Sequence, residues 1–367
     1  MKVLLVADEY FSWGIYGGFG AFTRKLGAEL VKKGIEVEAI VHRVSSYQKP
    51  VGEVEVIDGV SVKTLPREKP AKFWLQELYQ TDADIIHSQC GLFDTYLAFR
   101  NNPEIPKVIT VQDLRTKEEN QRLAQYEKTS GYPWYKQIWA RYVKSCFVKA
   151  MKSADVVASQ AKMLLPKIKE IYGVEASILL PNFIDVPLHD FRKSEDPTVL
   201  WLGRLDPIKC PELCFDLPKE SPDVQFNILG TSHPAYGGIE RDTFFKKTYS
   251  DVKNLHFLGF QSGKVKENLL SKSWILINTS AYECIPVSFL EAMAHKCAIL
   301  STQNPDGITS RFGAWSKSEV EELKRNLDYL LPRCLGLGEH GYDYVKSAHS
   351  TEKGVKQHIE LYEGLLK

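Results

Sequence analysis

Two short segments in the second half of the chain carry residue types and spacings suited to holding an anion. In Tyr282–Ala294, YECIPVSFLEAMA, Glu283 and Glu291 stand eight residues apart. Glu283 follows the apolar run Trp274–Asn278, which places it at the carboxyl edge of a strand. Pro286 suits the first turn of the helix that follows, because its missing N–H would be unpaired there anyway. Glu291 then falls about two turns into that helix. A helix N-terminus aimed into a cleft offers unpaired N–H groups and positive potential, both favourable to a diphosphate. A carboxylate can accept from two adjacent hydroxyls at once, as on a ribose. Cys284, Ile285, Pro286 and Val287 lie between the two acids and would line the same ligand. By themselves the acids fit equally well as a loop charge and a solvated helix residue.

The other segment is Val199–Pro211, VLWLGRLDPIKCP. Its strand ends at Gly203, Arg204 follows, and Lys209 comes five residues later, near the start of the next helix. Two cations so placed would neutralise a departing diphosphate, each contact contributing about 3 kcal/mol to catalysis. As exposed residues they would only make surface ion pairs, worth about 0–1 kcal/mol.

These segments need a scaffold, and the hydrophobic pattern supplies one. Strands are expected over Val3–Ala7, Ile35–Val41, Val60–Leu65, Ile85–Ser88, Val108–Val111, Val156–Ser159 and Ile178–Leu180. Helical stretches lie between most of them, such as Ala21–Lys33, which stops at Gly34. The polar segment Asp185–Pro197, with two prolines, reads as a linker. The pattern then restarts with Val199–Leu202, Val224–Leu229, Leu255–Leu258, Trp274–Asn278 and Ala298–Ser301. From about Ser316 only helical signals remain. The expected class is α/β, as two doubly wound parallel-sheet domains over residues 1–185 and 198–350. A last helix over 351–367 would cross back to the first domain. A cleft between the carboxyl edges of two such sheets is where open α/β sheets bind ligands.

Composition narrows the function. The 367 residues are 44% hydrophobic and 25% charged, and 47 Lys and Arg balance 46 Asp and Glu, so net charge argues against nucleic-acid binding. Met1–Ala7 lacks the longer apolar core and cleavage site of a signal peptide, and no apolar run reaches the roughly 18–20 residues of a membrane span. Seven scattered cysteines suggest no disulfide framework, and Cys210 and Cys214 lack a second pair at zinc-site spacing. The reading is a cytoplasmic protein.

In its second half the chain resembles the retaining glycosyltransferases of family 4, whose two-domain architecture is the GT-B fold. The resemblance rests on the paired glutamates followed by AMA and on the strand–GR–x4–K segment. It also rests on LGF at Leu258–Phe260 and the hinge phrase PNFID at Pro181–Asp185, in the family's order across roughly Val3 to Ile308. It implies that Glu291 binds the donor ribose, Arg204 and Lys209 the diphosphate, and Glu283 the transferred sugar. Gly230 and Phe260, after their strands, would complete the donor site. Gly17-Gly18-Phe19-Gly20 falls where the family has a glycine-rich loop near donor phosphates and acceptor; glycine permits close backbone approach. The G-x-G-x-x-G spacing of dinucleotide binders is absent, which favours a sugar nucleotide over NAD.

The chain departs from the family in two places. Where many members carry Thr-x-His-Asp, whose histidine contacts the donor sugar, it reads Thr110-Val111-Gln112-Asp113. Glutamine can hydrogen-bond a hydroxyl but cannot titrate. His87 stands open as a partial substitute or as a structural residue, and Asp113 remains a candidate contact. The turn after Leu229 reads Gly230-Thr231-Ser232 where a second glycine is usual.

Two further segments admit more than one reading. Asp82-Ala83-Asp84 looks like an Asp-x-Asp metal motif but precedes a buried strand; no metal is expected, since cations and helix dipoles can replace one. Pro133–Lys152 interleaves Trp134, Tyr135, Trp139, Tyr142 and Phe147 with five cations and no acid. Such a helix either packs its aromatics on the core or lies at the inner membrane surface, near a lipid-linked acceptor. The activity implied is transfer of a hexosyl unit from a UDP- or GDP-sugar to a hydroxyl of a glycan or lipid-linked acceptor, without cofactor. The alternatives are a GT-B epimerase or phosphorylase, or a nucleotide-sugar-binding homologue that has lost turnover.

Overall fold

The computed structural model describes every residue except 11–16, 43–50, 67–73, 90–92, 127–133 and 189–190. The chain divides into two compact units. One comprises Met1–Thr116, Thr129–Phe183 and Thr351–Lys367, and the other Lys117–Lys128 and Ile184–Ser350.

The first unit is built on eight strands, β1 Lys2–Ala7, β2 Glu36–His42, β3 Val54–Ile57, β4 Val60–Leu65, β5 Ile85–Ser88, β6 Lys107–Val111, β7 Val156–Ser159 and β8 Ile178–Leu179. They pair in the order β3-β4-β2-β1-β5-β6-β7-β8, parallel throughout except for the β3–β4 hairpin. Every residue of β5 and β6 is buried, which is why these strands read as unbroken apolar runs. Strand β3 was not expected from the pattern. Its hairpin turns at Asp58-Gly59, both with positive φ (52° and 81°), and Arg24 holds the Asp58 carboxylate at 2.6 Å. The core gathers Leu5, Leu26, Val37, Val62 and Ile85 with Val355 and Tyr362 of the last helix, Thr351–Leu365. Gly354 lets that helix approach: a Cβ there would stand 2.2 Å from the Phe183 ring.

The second unit has six parallel strands, β9 Thr198–Leu202, β10 Gln225–Leu229, β11 Leu255–Gly259, β12 Ile275–Asn278, β13 Ala298–Ser301 and β14 Gly313–Trp315. Their order is β11-β10-β9-β12-β13-β14. The short edge strand β14 was also missed by the pattern. Phe215 anchors the core, edge-on to Phe245, Tyr249 and Phe257 at centroid distances of 5.0–5.4 Å. The expected linker 185–197 is, where described, tied to this unit. Ser194 N donates to Lys272 O at 3.0 Å, and Lys193 Nζ donates to Ser273 O and His295 O at 2.5 and 2.7 Å. The division falls at Phe183–Ile184, and Ile184 bridges Ser350 beside the second crossing of the chain.

In each sheet the strand order reverses once, between β1 and β5 in the first and between β9 and β12 in the second. Open α/β sheets bind ligands beyond the carboxyl ends of such pairs, and in the second unit Arg204 and Glu283 follow β9 and β12 there.

Candidate functional site

In the second unit, β9 delivers Gly203 and Arg204, and β12 delivers Asn278, Ser280 and Glu283, on neighbouring strands. Lys209 closes the 3-10 turn Pro207–Lys209, shortly before the next helix, Glu212–Phe215. From there its Nζ reaches Glu283 Oε1 at 2.5 Å, so the two motifs, 74 residues apart, meet in one ion pair. The Glu283 oxygen also accepts from Ser280 Oγ at 2.6 Å and Asn278 Nδ2 at 3.1 Å. Its side chain is only 12% exposed. Burial pushes the carboxyl pKa up, but the Lys209 ammonium and the hydrogen bonds from Lys209, Ser280 and Asn278 outweigh it and hold the pKa below the usual value. Glu283 is therefore an ionised carboxylate in a confined place.

Arg204 pairs with the buried Asp206 carboxylate at 3.0 Å while its own side chain is 45% exposed, which leaves guanidinium donors facing outward. Asp206 is fixed in turn by His233 N at 3.0 Å. Pro286 is not inside the first turn but caps it in extended conformation, and the helix runs Val287–Ala294. Glu291 is thus its fifth residue, just over one turn in, where Lys266 Nζ holds it at 2.6 Å. Cys284 and Ile285 are buried in the lead-in to this helix, Pro286 and Val287 half-buried. Phe260 is 58% exposed just past β11. Gly230 ends β10 at φ 147°, and a Cβ on it would meet the Gly203 carbonyl oxygen at 1.7 Å. Thr231 and Ser232 are not among the residues with positive φ, so the turn needs no second glycine. Direct contact joins Lys209 to Glu283; Arg204 and Glu291 each take a different partner.

In the first unit, Gly18–Lys32 is helical, so Gly18 and Gly20 stand in the first turn rather than in a loop, with Gly17 as the cap. A Cβ on Gly17 would lie 2.6 Å from Glu9 Oε2, so the glycines admit the Glu9 side chain. His87 takes the structural one of its two open readings. It is fully buried, with Nδ1 2.6 Å from Tyr362 Oη and Nε2 2.8 Å from Thr110 Oγ1, so it cannot touch a ligand from this position. Burial, and secondarily His358 beside it, hold its pKa well below the usual value and keep the ring neutral. Gln112 is buried past the end of β6 and Asp113 is exposed beside it.

Sequence reasoning missed a row of amides. Gln89, Gln112 and Gln160 each stand one residue beyond the carboxyl end of β5, β6 and β7, three adjacent parallel strands, and all are buried. Gln112 Nε2 donates to Gln89 Oε1, and Gln160 Nε2 donates to the Gln112 carbonyl at 2.5 Å. The signal was present, since the same residue type follows three expected strands. Nothing in hydrophobic periodicity draws attention to it.

Asp82 and Asp84 lie at the opposite, amino edge of the sheet. Lys2 Nζ pairs with Asp82 at 2.5 Å, and the Lys2 backbone N–H donates to Asp84 at 2.7 Å. Cys214 is buried in the core. Among the described residues no group of three or more His, Cys, Asp or Glu is arranged to hold a metal ion, and no helix is long and apolar enough to cross a membrane. The aromatic helix runs Trp134–Ser153 and divides: Val143, Cys146 and Phe147 pack inward, while Trp134, Tyr135 and Ile138 are 73%, 56% and 56% exposed.

Residues 189–331 match the family model described as glycosyl transferases group 1, and residues 16–187 match that of glycosyltransferase family 4. D-inositol 3-phosphate glycosyltransferase of Mycobacteroides abscessus is 23% identical over 282 residues, covering 70% of this chain. The match takes in 62% of that protein, so the chain spans less than two thirds of the curated relative's length. Sucrose-phosphate synthase from Thermosynechococcus elongatus superposes with a TM-score of 0.79 at 16% identity, over 99% of this chain and 98% of that one. Anabaena HepE in complex with UDP gives 0.74 at 14%, over 99% and 100%.

Proposed function

Because the chain belongs to glycosyltransferase family 4, with the two parallel-sheet domains of a GT-B fold, we propose that it transfers a hexosyl unit from a UDP- or GDP-sugar to an acceptor hydroxyl. The observation that carries this reading is the ionised Glu283 held by Lys209 where β9 and β12 diverge, just ahead of the helix Val287–Ala294. Glu283 would accept from the transferred sugar's hydroxyls and Glu291 from the ribose. Arg204 and the remaining Lys209 donors would hold the diphosphate, with the unpaired N–H groups of the helix start beside it. Gly230 and Phe260 would border the base and ribose. The UDP in the HepE complex favours uridine as the first base to try.

Positioning and fixed positive charge would supply the catalysis, the work a metal does in other transferases. Retention would follow from a front-face substitution in which the leaving phosphate takes the acceptor proton. A thermal-shift screen against UDP, GDP, ADP and their sugar conjugates tests the reading. A donor at 100 times its Kd should stabilise the protein by about 2.7 kcal/mol. Transfer or donor hydrolysis should then be lost in Arg204→Ala and Glu291→Ala. Unchanged affinity and turnover in Arg204→Ala would remove the basis of the assignment. Gln112 in place of histidine also fits a nucleotide-sugar binder without turnover, which binding without any hydrolysis or transfer would establish.

The half-exposed helix Trp134–Ser153 supports a peripheral contact with an anionic membrane surface, where a lipid-linked acceptor would be presented. Its exposed aromatic and aliphatic residues accompany Lys136, Arg141 and Lys144, with no acid anywhere in the helix. Trp134→Ser with Ile138→Ser should weaken co-sedimentation with phosphatidylglycerol-containing vesicles by about tenfold or more. Wild-type protein that stays in the supernatant with those vesicles would exclude the contact.

A further inference from the structure

A cavity of about 320 Å³ lies at the amino edge of the first unit's sheet, where β6 begins and the helices Phe93–Asn101 and Trp134–Ser153 end. Arg100, Lys107 and Lys149 line it, and no Asp or Glu is among its described lining residues. Cations near helix ends commonly meet the last carbonyls. Here other donors do so. Asn101 Nδ2 donates to Leu97 O at 2.8 Å, Asn102 Nδ2 to Ala98 O at 2.7 Å, and Ser153 Oγ to Ala150 O at 3.1 Å. Arg100 and Lys149 are exposed, and neither has a carboxylate or carbonyl partner among the described residues. Lys107 is only 6% exposed; it spends two donors on Pro103 O and Ile105 O at 2.7 and 2.6 Å and keeps a third. Burial lowers its pKa, opposed by Asp155 and Glu104, neither of which lines the cavity. One oxygen of Asp155 already accepts from the Lys107 backbone N–H at 2.7 Å.

We propose that this cavity binds a phosphate monoester dianion, at a site separate from the donor's and independent of the function proposed above. The Arg100 fork can meet two phosphate oxygens while the Lys149 ammonium, as a compact charge, meets a third. A carboxylate offers one charge and two oxygens, so the dianion is the better match to this set of cations. Tyr96 and Phe99, also in the lining, give the carbon skeleton beyond the phosphate an apolar wall. Along β6 about 16 Å separates Lys107 from Gln112, which follows the carboxyl end where such sheets usually bind ligands. The phosphate could be carried by a small soluble molecule or by an acidic lipid. Lys149 lies about 60° around the helix axis from the exposed Trp134, so both could face one membrane surface.

Calorimetry and phosphorus NMR on the full chain would use glycerol 3-phosphate, inorganic phosphate and acetate. Arg204→Ala serves as the host, so that the candidate diphosphate clamp of the second unit does not contribute. Both phosphates should bind at least about tenfold tighter than acetate, and Arg100→Gln and Lys149→Gln should each weaken them by about tenfold or more. Thermal unfolding of both variants should stay close to that of the host, because both side chains are exposed. Co-sedimentation with phosphatidylcholine vesicles carrying phosphatidic acid separates the two sources. Vesicle binding that the two substitutions weaken assigns the site to a lipid phosphate. Binding of glycerol 3-phosphate without any response to the vesicles assigns it to a soluble one. Acetate bound as tightly as phosphate, affinities indifferent to both substitutions, or no binding of phosphate in either form would each overturn the proposal. So would phosphate bound by the wild type and lost in Arg204→Ala.

Discussion

Lys209→Met should lower turnover by at least about a hundredfold and destabilise the second unit by about 3 kcal/mol. The stability loss follows from Glu283, whose carboxylate is 12% exposed and would keep only Ser280 and Asn278 as donors. An uncompensated buried charge is costly, and the Glu283 pKa should rise once the Lys209 ammonium no longer opposes burial. Glu283→Gln in the Lys209→Met background removes the charge and should restore most of the stability. Its turnover should stay below that of Glu283→Gln alone if Lys209 also neutralises the leaving diphosphate. Denaturant unfolding and transfer assays on the four members of the cycle separate the two roles. Turnover that recovers together with stability would reduce Lys209 to a structural partner of Glu283.

Acid should loosen the first unit between about pH 6.5 and pH 4. His358 is fully buried in the last helix, with Nδ1 donating to Gly354 O at 2.8 Å, and burial lowers its pKa to about 4. The unfolded histidine titrates near 6.5, so above that pH both states are neutral and stability is fully present. As pH falls below 6.5 only the unfolded chain takes up the proton, and stability declines until the folded state also protonates near pH 4. His358 alone accounts for roughly 3 kcal/mol at 1.36 kcal/mol per unit. His87, whose pKa is also lowered by burial, adds in the same direction. Unfolding free energies at pH 7, 5.5 and 4 for wild type and His358→Leu check this. The variant should be less sensitive to acid by about that amount, and an identical pH profile would rule His358 out as the source.

Much of the architecture was legible because parallel strands buried on both faces leave unbroken apolar runs in the chain, as at Ile85–Ser88 and Val108–Val111. The two missed strands have physical explanations. Val54–Ile57 lies at a sheet edge with Val54 and Val56 exposed, so it shows little burial pattern, although Asp58-Gly59 was a usable hairpin signal. Gly313–Trp315 has three residues, and its Gly313 is there because a Cβ would strike the Ile299 carbonyl oxygen at 1.7 Å. No local rule anticipates that contact. In the expected linker only polarity and proline were visible in the sequence, whereas Lys193 within it serves backbone carbonyls of Ser273 and His295, far along the chain.

The sequence by itself determined the succession of strands, the placing of Arg204, Lys209 and Glu283 after strand ends, and the replacement of a histidine by Gln112. Only the tertiary structure decided which groups meet. Lys209 faces Glu283 because β9 and β12 are neighbours in a sheet whose order reverses between them. His87 lost its candidacy as a contact because the last helix supplies Tyr362 to its ring. Hydrophobic periodicity is a property of adjacent residues, whereas an ion pair or a directed hydrogen-bond chain depends on strand order and register, which bring together residues 74 or 275 positions apart.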